Sequence, residues 1–399
     1  MNKMIIKPFG DIFDLSLGRT PSRSNPSYWN GTYPWVSIAD MSRNKYISHT
    51  KEHITSDAIF DTNIPIVKKG TVIMSFKLSI GKVCITDIDL YTNEAIMAFS
   101  PKPHYQIFPE FLYYYLTFYK WDKGNEVLLG VTLNKRTISQ SIAAIPQSLS
   151  EQQRIVEILD AKFAKIDALK ANAEKSLQAA NALFINSVEK VFANLEAPLI
   201  AVSSVADVSS GFAFKSTQFV PKGKYQVVRI SNVKQNSLRL SSSPVFINEI
   251  DNKIITKSEL KKYDLVVTQT GTKHKMDYGF VAIVNVDNLL LNQRVARIRF
   301  KSPRLFAKWF LYYSYTKSYK EQFFAHEGGT VGQGNVSLSA ITEMKIPIPN
   351  DSHTIKTNIE LLDNIDERCK ALQDNYNKTI TLCEDLKQAL LRKVFNGEL

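Results

Sequence analysis

The sequence predicts an α+β protein built as a tandem duplication: two mixed α/β domains, each followed by a long α-helix, with the two helices packing on one another as a coiled coil. Three observations predict it. Ser150–Phe192 contains no Gly or Pro, and its apolar or small residues recur every seven positions at Leu159, Ile166, Ala173 and Ala180. The same pattern returns 203 residues later, with Leu159-Asp160 falling on Leu362-Asp363 and Val191-Phe192 on Val394-Phe395. Between these rods, strand-like runs and turn residues repeat in unchanged order at offsets of 192 to 201 residues.

The repeat begins with Trp35–Asp40, matched by Val227–Asn232, and continues with Lys68–Ser75, matched by Lys261–Thr268. Gly81 and Gly279 stand further apart than the runs before them, so copy two carries five extra residues in that loop. Asn93 then pairs with Asn292, and Phe111–Tyr114 with Phe310–Tyr313, both at an offset of 199. Asn134 and Ile145-Pro146 match Asn335 and Ile346-Pro347. Val72–Phe76 and Val281–Val286, bounded by turn formers, read as strands. Helices are expected over Phe108–Trp121 and Leu305–Phe324; their aromatics read as core in preference to a base-stacking platform.

Each Ile-Pro dipeptide fixes an extended approach to a rod, because proline cannot enter the helix interior. Ser150 and Gln153 have capping-box spacing and are expected to start the first rod. Its 43 residues would span roughly 65 Å, too long to bury a stripe inside one ordinary domain. The seam is assigned to Leu159, Ile166, Leu169 and Leu183 in one helix. Its counterpart is Leu362, Ile365, Cys369, Leu372, Leu386 and Leu390. The domain plan is 1–148, a central helix 149–193, a second domain 194–350 and a terminal helix 351–399.

A formal net charge of +12 in 399 residues favours a polyanionic partner. No apolar run is long enough to span a membrane and the amino terminus has no signal core, so a cytoplasmic location is expected. Cys84, Cys369 and Cys383 are too few and too scattered for a disulfide framework or a metal site. Phosphate-loop, zinc-protease, serine-hydrolase and amino-methyltransferase motifs are absent. The sequence therefore reads as a binder without catalytic residues or metal ligands.

Six basic, polar, glycine-containing loops carry the binding chemistry. Copy one offers Arg19, Thr20, Ser22 and Arg23, then Lys77, Ser79 and Lys82, then Thr132, Asn134, Lys135 and Arg136. Copy two offers Lys215 and Ser216, then Thr270, Thr272, Lys273, His274 and Lys275, then Gln333 and Asn335. Cations neutralise phosphate, small hydroxyls approach the backbone, and amides or guanidinium can pair with base edges.

The motifs Gly18-Arg19-Thr20-Pro21-Ser22, Tyr28-Trp29-Asn30-Gly31, Pro34-Trp35-Val36, Ser79–Val83 and the Ile145-Pro146/Ser150–Val156 junction, with the echo Gly211–Ser216, resemble the DNA-specificity subunit of type I restriction–modification systems. The resemblance spans the whole chain. It implies two target-recognition domains held apart by antiparallel long helices, each domain reading half of a bipartite, asymmetric site in double-stranded DNA. It further implies partners: two methyltransferase subunits and restriction (motor) subunits. S-adenosylmethionine, ATP and Mg would reside on those partners and no cofactor on this chain. The second junction, Asp351–Thr357, lacks the Glu-Gln-Gln-Arg of the first, which singles out unequal docking of the two copies. The competing reading is a helical scaffold for protein assembly without sequence readout.

Overall fold

The structure, a computed structural model, describes residues 3–41, 44–77, 79–121, 133–330 and 332–398. It divides into two compact units. Residues 1–173 with 379–399 form the first, and residues 174–378 the second.

In the first unit a five-stranded sheet runs in the order Phe13–Leu17, Ile96–Pro101, Val72–Ser75, Val83–Thr86, Tyr46–Ile47. A three-stranded sheet (Glu52–Ile54, Trp29–Val36, Tyr91–Thr92) contains one parallel pair, Trp35 against Tyr91. Successive strand residues point to opposite faces, and the larger sheet uses both. Val72 and Met74 enter the core beneath the helix Pro109–Phe118, whereas Ile73 enters a separate core with Val36, Cys84 and Leu90. Burial on both faces explains why this strand reads as an uninterrupted apolar run.

The second unit repeats the plan. Ala206–Ser210, Val295–Phe300, Leu265–Thr268 and Val281–Ile283 form one sheet. Phe246–Ile247, Tyr225–Val228, Leu289–Leu291 and Glu259–Leu260 form the other, again with a central parallel pair. Leu265 and Val267 face one core and Val266 another. The five extra residues of copy two build a strand, Thr270–Thr272, paired with Gln333–Asn335. Gly81 and Gly279 close the equivalent hairpins with φ of +85° and +76°, a conformation glycine adopts without strain.

The aromatic helices hold the rods. Asp160 accepts hydrogen bonds from the Tyr114 hydroxyl and from Lys45 at 2.9 Å; Asp363 accepts them from the Tyr312 hydroxyl and from Lys308 at 2.6 Å. Phe395 packs on Phe111 and Tyr115, and Phe192 on Trp309 and Tyr313. These equivalences run at 198 residues, not 199, so the paired sequence motif was one position out of structural register. The second aromatic helix is also not continuous over 305–324. It spans Pro303–Tyr313 and restarts as Lys317–Phe324, because Ser314 and Thr316 hydroxyls bond back to Leu311 and Tyr313 carbonyls and Thr316 caps Tyr319.

The long helices run Leu149–Ala193 and Ser352–Phe395. Ser148, not Ser150, accepts from the Glu151 amide at 3.4 Å, and Asp351 stands at the equivalent place, accepting from Thr354 at 2.8 Å. The expected glutamine also differs: Gln153 is exposed, while Gln152 is fully buried. Gln152 accepts from Phe108 N (2.7 Å) and donates to Pro146 O (2.9 Å) and Gln106 O (3.1 Å). In the second unit Ile355 takes its place inside an apolar core.

Within the first unit the helices are antiparallel, with Lys170 on Glu384 and Asp167 on Lys387; within the second, Asn181 meets Gln373 at 3.0 Å. Leu159, Ile166, Ala173 and Ala180 are buried, as are Leu362, Cys369 and Cys383, while Ile365 and Leu390 are half-buried. Four seam assignments fail. Leu169, Leu183, Leu372 and Leu386 are 39–53 % exposed. A seam lined by Ala and Cys lets the helices approach along one row, which leaves the neighbouring row of leucines outside.

Candidate nucleic-acid interface

In both units the loop that opens the domain crosses a tight turn between two strands. Arg19 N donates to Thr92 O at 2.8 Å, and Phe212 N to Leu291 O at 2.9 Å. Gly18 and Gly211 lie so close to that turn that a Cβ would come within 1.8 Å of Thr92 O or 2.2 Å of Asn292 O, so only glycine fits. Asn93 and Asn292 staple the turn from within, their Oδ1 atoms accepting from Ala95 N (3.0 Å) and Gln293 N (2.8 Å). The tip presents Glu94 in one unit, and Gln293 and Arg294 in the other, all exposed.

The proposed residues of the first unit separate into two groups. Arg23 is committed to structure: it pairs with Glu52 and stacks 3.8 Å from the Trp29 ring. Arg19 donates to the Thr62 carbonyl, Lys82 to the Ile38 carbonyl at 3.1 Å, and Asn134 caps Lys135–Gln140. Ser22 shares a hydrogen bond with Ser24 at 2.8 Å. Thr20 donates to Glu94, and this bond holds the Glu94 carboxyl below its usual range. Ser79, Lys135 and Arg136 are exposed, while Lys77 is half-buried beside Phe76. Thr132 lies outside the described residues.

The second unit brings its predicted residues together more closely. A cleft of about 450 Å³ is lined by Gln269, Thr270, Gln293, Arg294, Gln333 and Asn335, among others. Beside it, Lys273, His274, Gly329, Thr330 and Gly332 line a second cleft of about 530 Å³. The basic loop between them is braced: Glu327 accepts from Tyr278 (2.8 Å) and the His274 amide (3.3 Å), Asp277 accepts from Thr272 N (2.7 Å), and Lys273 reaches Gly329 O at 3.3 Å. His274 and Met276 hold positive φ there, 64° and 49°. Lys275 is exposed, as are Lys215 and Ser216 at a separate 3₁₀ turn; Thr270 is buried.

Sequence reasoning missed Glu94, Gln293 and Arg294. The signal was present, since Asn93 and Asn292 already matched as a pair and these residues follow directly.

Two segments, residues 1–179 and 199–382, match the family model described as "Type I restriction modification DNA specificity domain". The chain is 29% identical over 163 residues to the type I restriction enzyme MjaIX specificity subunit of Methanocaldococcus jannaschii, covering 39% of this chain and 36% of that protein. It is 25% identical over 167 residues to the EcoR124I/EcoR124II specificity subunit of Escherichia coli, covering 39% of each. The chain thus spans about two fifths of the length of these relatives. Among solved structures, a chain from work on complex assembly and conformational transition of the type I R-M system aligns with TM-score 0.76 at 14% identity, covering 99% of this chain and 98% of that one. The HsdS subunit from Thermoanaerobacter tengcongensis aligns with TM-score 0.56 at 15% identity, covering 99% and 97%. These structures share the fold. The two family-model matches together span most of the chain, which therefore belongs to the type I restriction–modification DNA specificity family.

Proposed function

We propose that this member of the type I specificity family is a non-catalytic, sequence-specific DNA-binding subunit that reads a bipartite, asymmetric site and directs methyltransferase subunits to it. One observation carries the reading. Two domains build the same loop-over-turn frame, yet present different side chains at its tip: Glu94 in one and Gln293-Arg294 in the other. A common frame with unlike tips suits two half-sites of unlike sequence. Phosphate contacts from Lys135, Arg136, Lys215 and Lys275 would supply affinity, and the tips selectivity.

The long helices are the spacer in this reading. Removing about two turns from each in the antiparallel register, Asn172–Gln178 with Tyr376–Leu382, should shorten the unspecified gap and leave both half-sequences intact. A change in the half-sequences would refute the ruler. Methyltransferase docking is assigned to the outer leucines. Leu169 with Leu386 in the first unit and Leu183 with Leu372 in the second are exposed and related by the repeat, which supports two docking sites. S-adenosylmethionine, ATP and Mg would belong to the methyltransferase and restriction partners, in the cytoplasm. Among the described residues, no helix is long and apolar enough to cross a membrane.

A pure assembly scaffold is separated by salt. For a DNA reader with its methyltransferase partner, log affinity falls linearly with log salt, whereas a scaffold has no such slope.

A further inference from the structure

We infer that the stapled turn is the base-reading element of each domain: Arg294 and Gln293 take purine edges in one half-site, and the Glu94 carboxylate takes the amino group of cytosine in the other. The inference deepens the proposed function and rests on it. The backbone–backbone bonds of the turn are equivalent in the two domains, although the asparagine side chain takes the amide two residues on in one and the next amide in the other. Ile96 N reaches Asn93 O at 3.2 Å and Val295 N reaches Asn292 O at 3.1 Å; Asn93 N bonds Val36 O and Asn292 N bonds Val228 O, each at 3.0 Å. A backbone held by its opening loop, its own asparagine and the parallel sheet beneath presents its tip with little freedom left to lose on binding.

The side chains at that tip fit base edges better than phosphate. Among the described residues, the side chains of Gln293, Arg294, Gln333 and Asn335 make no hydrogen bond or ion pair within the protein, although all four line one cleft. Other arginines of the chain are tied down, Arg23 to Glu52, Arg154 to Glu151 at 2.8 Å and Arg299 to Asp264 at 2.6 Å, whereas Arg294 stands unpaired among the amides of this cleft. An unpaired guanidinium beside three unpaired amides is the donor and acceptor set that pairs bidentately with guanine and adenine in the major groove. Glu94 repels phosphate and therefore contributes selection, not affinity. Thr20 orients one of its oxygens and keeps it ionised, leaving the other to accept from a cytosine amino group. The basic braced loop beside the cleft, with Lys275 exposed, supplies the phosphate contact that sets the register of the second domain.

The test maps modified adenines genome-wide after co-expression of the full chain with its methyltransferase partner. Arg294→Ala and Glu94→Gln are compared with the unaltered chain and with Lys275→Ala, and thermal melting checks that each variant folds. Arg294→Ala is expected to relax one position in one half-site, reducing discrimination there by about ten- to a hundredfold, and to leave the other half-site unchanged. Glu94→Gln is expected to relax one position in the opposite half. Lys275→Ala is expected to lower modification at all sites alike. Unchanged motifs in the Arg294 and Glu94 variants, or a uniform loss like that of Lys275→Ala, would overturn the inference while leaving the proposed function standing. Absence of any bipartite motif with the unaltered chain would overturn both.

Discussion

Replacing Gln152 by Leu should loosen the first unit alone. The side chain is fully buried at the start of the first long helix, and it bonds three backbone groups on two other segments: Phe108 N at 2.7 Å and Gln106 O at 3.1 Å on one, and Pro146 O at 2.9 Å on the other. Leucine preserves most of the volume but leaves one amide and two carbonyls without that partner, the Pro146 carbonyl at a buried bond and the other two groups at partly buried ones. Each unmet buried group costs ~1–3 kcal/mol, and losses sharing one side chain do not add fully. The extra apolar burial offsets part of the loss, so we expect ~2–4 kcal/mol in total. Hydrogen exchange reads it locally: amides of residues 104–112 and 142–156 should lose protection by that amount, while those of 303–313 and 345–360 keep theirs. A single denaturation midpoint is less suitable for a chain of two units. A loss below ~1 kcal/mol, or equal loosening of both units, would refute the view that Gln152 is the junction's pivot.

Three further outcomes follow from the packing and charge. Phe192→Ala should destabilise the second unit by ~3–5 kcal/mol, because Phe192 lies against Trp309 and Tyr313 at ring distances of 4.5 and 5.4 Å; urea-dependent exchange of the 303–313 helix measures it. Burial pushes the Cys84 thiol up to about 11, so iodoacetamide should label it slowly at pH 8 and faster as pH rises towards 11; rapid labelling at pH 8 would contradict the burial. Replacing both Lys273 and Lys275 by Ala should weaken DNA binding across sequences and reduce the slope of log affinity against log salt by about one to two.

Much of the architecture was legible because it was written twice. A repeat fixes equivalences that no single strand propensity could, and the glycines at 18 and 211 and the asparagines at 93 and 292 marked the frame. The failures share a cause. A seven-residue row shows that a helix face repeats, but not which of two adjacent rows meets the partner. The small residues Ala173, Ala180, Cys369 and Cys383 decided it, and they carry a weaker hydropathic signal than Leu169 or Leu386. Likewise a loop's charge does not show whether its cations are already spent. Arg19 and Arg23 looked available for DNA and are instead held by Thr62 and Glu52. Gln293 and Arg294, unpaired at the tip of the turn, stood next to a matched asparagine and inside no basic run.

The central claim, that each domain reads one half of a split site, is tested most directly by exchanging residues 194–350 for the corresponding domain of another family member and mapping adenine modification in the assembled complex. The expected outcome is a bipartite motif in which one half-sequence is replaced and the other half and the spacer persist. A contiguous motif, or a change in both halves together, would contradict it.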